Sequence, residues 1–197
     1  MPRYMFYIVV ITATVAAGVL LYPLFGPQKP STLFKASGEV QYSLTSTEGG
    51  TVTEKTFNDI HTLVFFGYTY CPDVCPTTLQ DVSTVMDLLG DDAQKIKPVF
   101  ITFDPERDTV EHLKAYLEDF HPAMIGLTGE KEQTIAAAKS FRVFYKKEKP
   151  DEDDPESYLV SHTAFVYLIG PNGKGPLKQF KYGEKPETIA AAVQDIL

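Results

Sequence analysis

The chain has 197 residues, 44% apolar and 12% aromatic, which is enough to bury a core and excludes wholesale disorder and a disulfide-stapled miniprotein. Lys and Arg number 18 against 26 Asp and Glu, a formal charge of −8, which argues against nucleic acid or anionic lipid held by general electrostatic attraction. A basic or small cationic partner fits better.

Residues 4–25 carry no charge, with Arg3 on one side and Pro27 and Lys29 on the other. As a helix rising about 1.5 Å per residue this run is about 33 Å long, enough to cross a hydrocarbon layer of about 30 Å. Val15-Ala16-Ala17 has the small residues of a signal-peptide cleavage site, but the apolar run continues past it to Phe25. Residues 1–27 are therefore expected to form an uncleaved transmembrane anchor rather than a removed signal. Arg3 and the amino terminus favour a cytoplasmic N-terminus. The expected protein is single-pass in the inner membrane, with a linker over 28–37 and one domain over 38–197 on the periplasmic or extracytoplasmic side.

In that domain Glu39 to Thr47 predicts a strand, with Val40, Tyr42 and Leu44 alternating against polar neighbours. Gly49-Gly50 then supplies a hairpin turn into Thr51 to Phe57. Thr62 to Tyr68 is continuously apolar, as in a strand covered on both faces, and Cys71-Pro72-Asp73-Val74-Cys75-Pro76 follows at once. From Thr77 the period becomes helical, with Leu79, Val82, Val85, Met86 and Leu89 on one face and Gly90 as the stop. Lys97 to Phe103 predicts a second buried strand, and the loop from Asp104 to Thr109 leads into a helix over Val110 to Phe120. Glu130 to Phe141 predicts a helix and Val143 to Lys146 a short strand. The acidic stretch Asp151 to Glu156 is expected as a solvated loop rather than a docking patch for a cationic partner. A strand within Tyr158 to Ile169, a turn at Pro171-Asn172-Gly173, a strand over Leu177 to Tyr182 and a helix over Pro186 to Leu197 close the chain. An opening βαβ, a closing ββα and cysteines between the first central strand and its helix predict an α/β, thioredoxin-like fold with an N-terminal β-hairpin extension.

Cys71 and Cys75 are the only cysteines, and outside the cytoplasm such a pair is a disulfide, a redox pair or a metal site. Residues four apart on a regular helix have Cβ atoms about 5–6 Å apart, whereas a disulfide needs about 3.5–4.5 Å. A metal spans the wider gap with two bonds of about 2.3 Å. Pro76 disfavours helical backbone at Cys75, so spacing favours a metal and leaves a disulfide open. Two sulfurs under-coordinate most metals. Of the four histidines, His61 precedes the central strand, His112 lies in the first turn of a helix and His121 at a helix end, which suits surface or capping roles. His162 enters a late strand whose start, in this fold, lies against the cysteine loop. Position alone leaves its role as a ligand open.

Phe66-Gly67-Tyr68-Thr69-Tyr70-Cys71-Pro72-Asp73-Val74-Cys75-Pro76 resembles the cysteine signature of the Sco/SenC copper proteins, membrane-anchored assembly factors for cytochrome c oxidase. Phe100 to Asp108, Ile125 to Gly129, Ser161-His162-Thr163 and Leu168 to Gly173 resemble further pieces of that family in the same order. The resemblance implies that Cys71, Cys75 and His162 bind one copper ion. Soft thiolates suit Cu(I), and two thiolates with an imidazole suit Cu(II) when a further ligand or water joins. Tyr70 stands where the family commonly has a histidine, and Ser161 where an aspartate often precedes the ligand, so an outer carboxylate that would orient the site is missing. Asp73 and Asp104 are the remaining outer candidates, although a turn residue and a helix cap describe them better. Among the aromatic residues Phe65, Phe66, Tyr68 and Tyr70, only Tyr70 is a candidate to shield a metal.

The expected function is a copper metallochaperone that delivers Cu(I) or Cu(II) to cytochrome c oxidase subunit II or another exported copper protein. A second reading makes Cys71 and Cys75 a dithiol redox pair that reduces the acceptor's copper-ligand cysteines by thiol-disulfide exchange. A peroxiredoxin-like peroxidase has less support, because it has no use for His162.

Overall fold

The computed structural model describes residues 38–149 and 157–197. The expected anchor, the linker and the acidic stretch Asp151 to Glu156 lie outside the described residues. Among the described residues, no helix is long and apolar enough to cross a membrane.

Among the described residues, the domain has nine strands and four α-helices. The strands are β1 (Ser43–Ser46), β2 (Thr51–Thr53), β3 (His61–Gly67), β4 (Ile96–Thr102), β5 (Ile125–Thr128), β6 (Tyr145–Lys147), β7 (Val160–His162), β8 (Phe165–Gly170) and β9 (Lys174–Lys181). The helices are α1 (Val74–Leu89), α2 (Val110–Leu117), α3 (Lys131–Ser140) and α4 (Pro186–Gln194). Seven strands form one sheet in the order β2-β1-β5-β4-β3-β8-β9, and β6 and β7 form a separate two-stranded ribbon. β3, β4 and β5 run parallel, while β8 and β9 continue the sheet antiparallel on the other side of β3. This is the predicted thioredoxin-like arrangement, with the β1–β2 hairpin added at the far edge.

Strands β3 and β4 are almost wholly apolar because both of their faces are covered: Leu63, Val64, Phe65, Phe66, Phe100 and Ile101 are all buried. Helix α1 packs against α4, and α2 against β5. The alternation of Val40, Tyr42 and Leu44 is real, since all three are buried between exposed neighbours. Regular pairing nevertheless begins only at Ser43, because Glu39 makes a single bridge to Lys174 instead of a ladder with β2.

Several elements differ from the sequence expectation, the strand expected over Thr51 to Phe57 among them, since it ends at Thr53 and turns into a short 3-10 helix over Glu54–Phe57. Residues 125–128 form β5, which no pattern announced, since four residues with Gly126 among them are too short to show a period. The strand expected within 158–169 is two strands in different sheets. At Thr163 the backbone N–H still donates to the Phe144 carbonyl, whereas the Ala164 carbonyl already accepts from Tyr182; the chain changes partner between them. Helix α1 begins at Val74 rather than Thr77, and Pro76 sits in its first turn, where a missing N–H leaves no helical bond unmade.

Gly126 is required by packing. A Cβ there would lie 2.6 Å from Leu113 and 2.8 Å from Leu117, the buried face of α2. Gly126→Ala is expected to cost about 1–3 kcal/mol through overpacking, read as a lowered urea midpoint at unchanged slope.

Candidate metal centre

Strand β3 ends at Gly67, and the chain crosses Tyr68 to Pro72 before α1 begins. Asp73 occupies the cap position of α1 without a side-chain cap hydrogen bond. The first-turn N–H groups are consequently free to serve a sulfur: the Cys75 N–H donates to Cys71 Sγ at 3.4 Å, and the Asp73 N–H points to the same atom. Cys71 is half-buried in the loop, and Cys75 is fully buried beneath it. The two are therefore not a regular helical pair, since only Cys75 belongs to the helix. Gly67 makes room for them, because a Cβ at that position would lie 2.8 Å from Cys75 Sγ and 2.7 Å from the Phe100 ring.

His162 reaches the same place from the ribbon. Its Nε2 lies 3.6 Å from Cys75 Sγ, and its Nδ1 lies 3.1 Å from the Thr163 carbonyl oxygen. A carbonyl only accepts, so Nδ1 carries a proton, and Nε2 faces the sulfurs. The ring is held by Phe103, Tyr68 and Phe65, at centroid distances of 5.0, 6.2 and 6.3 Å. Tyr68 also fixes the ribbon, since its hydroxyl oxygen accepts the Val160 N–H at 3.1 Å.

The donor atoms of Cys71, Cys75 and His162 all lie within 4.8 Å of one another. Two metal–sulfur bonds of about 2.3 Å span about 4.6 Å at most, so a single ion fits after a small adjustment. Two soft sulfurs and one imidazole form a donor set for Cu(I), Cu(II) or Zn rather than for a hard cation. Cys71 and Cys75 are free thiols here, and their environments separate them. The hydrogen bond from Cys75, aided by His162 and the backbone N–H groups and opposed by burial, holds the Cys71 thiol down at about 3. Cys75 moves the other way, because it donates to Cys71 and is buried. The pair thus loses its first proton from Cys71 and keeps the second on Cys75.

The other expected residues fall in different places. His61 stands at the start of β3, at the opposite end of that strand from the cysteines. His121 accepts the Ala123 N–H on its Nδ1 in a turn after α2, as a helix-end residue should. Asp73 contributes its backbone N–H and not its carboxylate. Asp104 caps no helix, since Thr109 caps α2. It is instead a buried anchor that receives Arg107, Lys147 at 2.9 Å and the Tyr158 hydroxyl at 2.6 Å. Burial pushes the Asp104 carboxyl up, but the hydrogen bonds from Tyr158, Lys147 and Arg107 prevail and hold it below the usual range. Lys147 ends β6 and Tyr158 precedes β7, so Asp104 tethers both strands of the ribbon that carries His162. Ser161 points away from the site and donates to Glu148 at 2.7 Å. The His162 ring is oriented by the Thr163 carbonyl, with no carboxylate at position 161.

The surface reading of His112 is incomplete. Its ring stacks on Tyr70 at a centroid distance of 5.4 Å, and its Nε2 lies 2.9 Å from Thr69 Oγ1, two residues before Cys71. Arg107 lies over the same Tyr70 ring at 4.5 Å. The available signal was topological: loops that follow neighbouring parallel strands meet at one edge of the sheet.

The family model described as SCO1/SenC matches residues 30–197. The chain belongs to the SCO1/SenC family. It is 46% identical to the SCO2-like protein of Rickettsia felis over 127 residues, 64% of this chain and 61% of that one. It is 39% identical to the mitochondrial Protein SCO1 homolog of Homo sapiens over 154 residues, 77% of this chain and 50% of that one. The match therefore spans only about half to three-fifths of these relatives' length. Among solved structures, ScoI of Bradyrhizobium japonicum with copper bound superposes with a TM-score of 0.73 at 40% identity, covering 81% of this chain and 99% of that one.

Two outcomes are expected of this SCO1/SenC protein. Alkylation of the reduced chain should label Cys71 alone, at a rate nearly constant from pH 8 to pH 5, where an ordinary thiol slows roughly a thousandfold; mass spectrometry with Cys71→Ser as control reads both features. Gly67→Ala should displace the Cys75 sulfur or the Phe100 ring, weakening metal binding tenfold or more in a chelator competition while the chain stays folded by circular dichroism.

Proposed function

We propose that this protein is a copper metallochaperone. Cys71, Cys75 and His162 hold one copper ion as Cu(I) or Cu(II), with copper as cargo, and present it to apo cytochrome c oxidase subunit II or another exported copper protein. The observation that carries this reading is the convergence of two sulfurs and an imidazole nitrogen within 4.8 Å. The copper-bound state of the related ScoI supports the choice of metal. Half-buried Cys71 gives an incoming thiolate a point of entry, so the ion passes by ligand exchange between two sulfur-rich sites. In this proposal residues 1–27 anchor the domain on the extracytoplasmic side of the inner membrane.

The asymmetry of the thiols favours a second reading, reduction of the acceptor's disulfide before it receives metal. A partly exposed thiolate above a buried thiol is the arrangement of a dithiol reductant: Cys71 attacks, Cys75 then resolves the mixed disulfide, and the two electrons pass to the acceptor's cysteines. Both readings need the reduced pair, but only metal binding needs His162.

Titration of the full-length chain in mild detergent tests the proposal. Reduced protein should take up one copper per chain with a strong thiolate-to-Cu(II) absorption band, and protein with Cys71 and Cys75 joined as a disulfide should take up none at this site. His162→Ala should weaken copper binding at least tenfold and leave disulfide formation intact. Equal uptake by oxidised and reduced protein would exclude the cysteines as ligands.

A further inference from the structure

The loop between β4 and α2 carries a second buried carboxylate, Asp108, which the site described above does not use. It is fully buried, and every hydrogen bond to its carboxylate comes from a donor. Thr69 supplies its backbone N–H at 3.1 Å and its hydroxyl, and Thr102 supplies another hydroxyl. The Thr102 proton is committed to this bond, because Thr102 Oγ1 itself accepts the Asp104 N–H. Burial pushes the Asp108 carboxyl up, and these three donors oppose it.

Thr69 has one hydroxyl proton and two neighbours. Asp108 takes it, since a carboxylate is the stronger acceptor, so the 2.9 Å contact with His112 must run from the imidazole Nε2–H to Thr69 Oγ1. The His112 ring in turn stacks on Tyr70, at 5.4 Å and 19° between planes. His112 is fixed at its own end, because Thr109 Oγ1 accepts its backbone N–H in the first turn of α2. A chain of contacts thus runs from the buried Asp108 through Thr69 to His112 and Tyr70. It immobilises the two residues immediately before Cys71.

We propose that Asp108 is a positioning residue of the copper site, acting through Thr69 and His112 to fix the loop that presents Cys71. This rests on the copper reading above. Asp104 and Asp108 then divide the work from one short loop: Asp104 tethers the ribbon that bears His162, and Asp108 tethers the turn that bears Cys71. The Asp108 N–H donates to the Asp104 carbonyl at 2.8 Å, so the two anchors are rigidly spaced. The distance between the sulfur and imidazole donors is thereby set from outside the ligand set.

Thr69 variants in the full-length chain test this, with Cu(I) affinity from chelator competition, the position of the thiolate-to-Cu(II) band and the thermal midpoint read together. Thr69→Val removes the hydroxyl from both Asp108 and His112, and Thr69→Ser keeps it. Thr69→Val and Asp108→Asn should each weaken Cu(I) binding at least tenfold and shift the band, and Thr69→Ser should stay within threefold of the parent. Thr134→Val, which removes a buried hydroxyl in α3 that bonds the Lys131 carbonyl, should lower the thermal midpoint without moving affinity or band. Unchanged affinity and band in Thr69→Val, whatever its stability, would overturn the proposal. If Asp108→Asn fails to fold, the Thr69 pair still decides. A parent chain that binds no copper would instead refute the function itself.

Discussion

Because β3 and β4 run parallel and in register, from His61 beside Ile96 to Gly67 beside Thr102, both strands deliver their chain to the same edge of the sheet. The cysteine loop leaves one strand there, and the loop from Asp104 to Asp108 leaves the other. Everything else at the site depends on that adjacency. The Phe103 N–H donates across it to the Gly67 carbonyl at 2.9 Å, extending the ladder to the point where the two loops diverge. Phe103 then packs against His162, and Asp104 and Asp108 descend into the space beneath.

Local pattern and tertiary placement were unequally legible in the sequence. The run from Thr62 to Tyr68 and the helix with Leu79, Val82, Val85 and Met86 on one face could be read because burial imposes a period on side chains. The order of strands and helices around Cys71 and Cys75 then located the cysteine loop. β5 escaped because Gly126 is chosen by the side chains of α2 and not by any period within the strand. The ribbon escaped because the change of partner between Thr163 and Ala164 is decided by residues far away in sequence, Phe144 and Tyr182. The roles of Asp104 and His112 are equally non-local, since each is defined by residues from other loops.

The centre also shows how two like side chains become unlike. Cys71 stands before a helix whose first N–H groups have no partner within the helix, whereas Cys75 lies inside that helix against Phe100 and Gly67. One sulfur is offered positive dipoles and the other an apolar wall. Ionisation therefore falls to the more exposed atom. Asp104 illustrates the complementary rule, because a carboxylate with no exposed surface is tolerable only where Arg107, Lys147 and Tyr158 supply donors around it.

The ribbon has only three residues in each strand and shares no ladder with the main sheet. Its ties to the rest of the domain include the Tyr68 hydroxyl, the cluster around Asp104 and the packing of Tyr145 and His162 on Phe103. Units this small, tied by few contacts, are the ones that open locally at free energies below that of global unfolding. An ion joined at once to Cys75 and His162 would fuse this unit to the helix and strand beneath it. A bound ion would then be felt as slower amide exchange in β6 and β7, with the metal itself acting as the latch between the two parts.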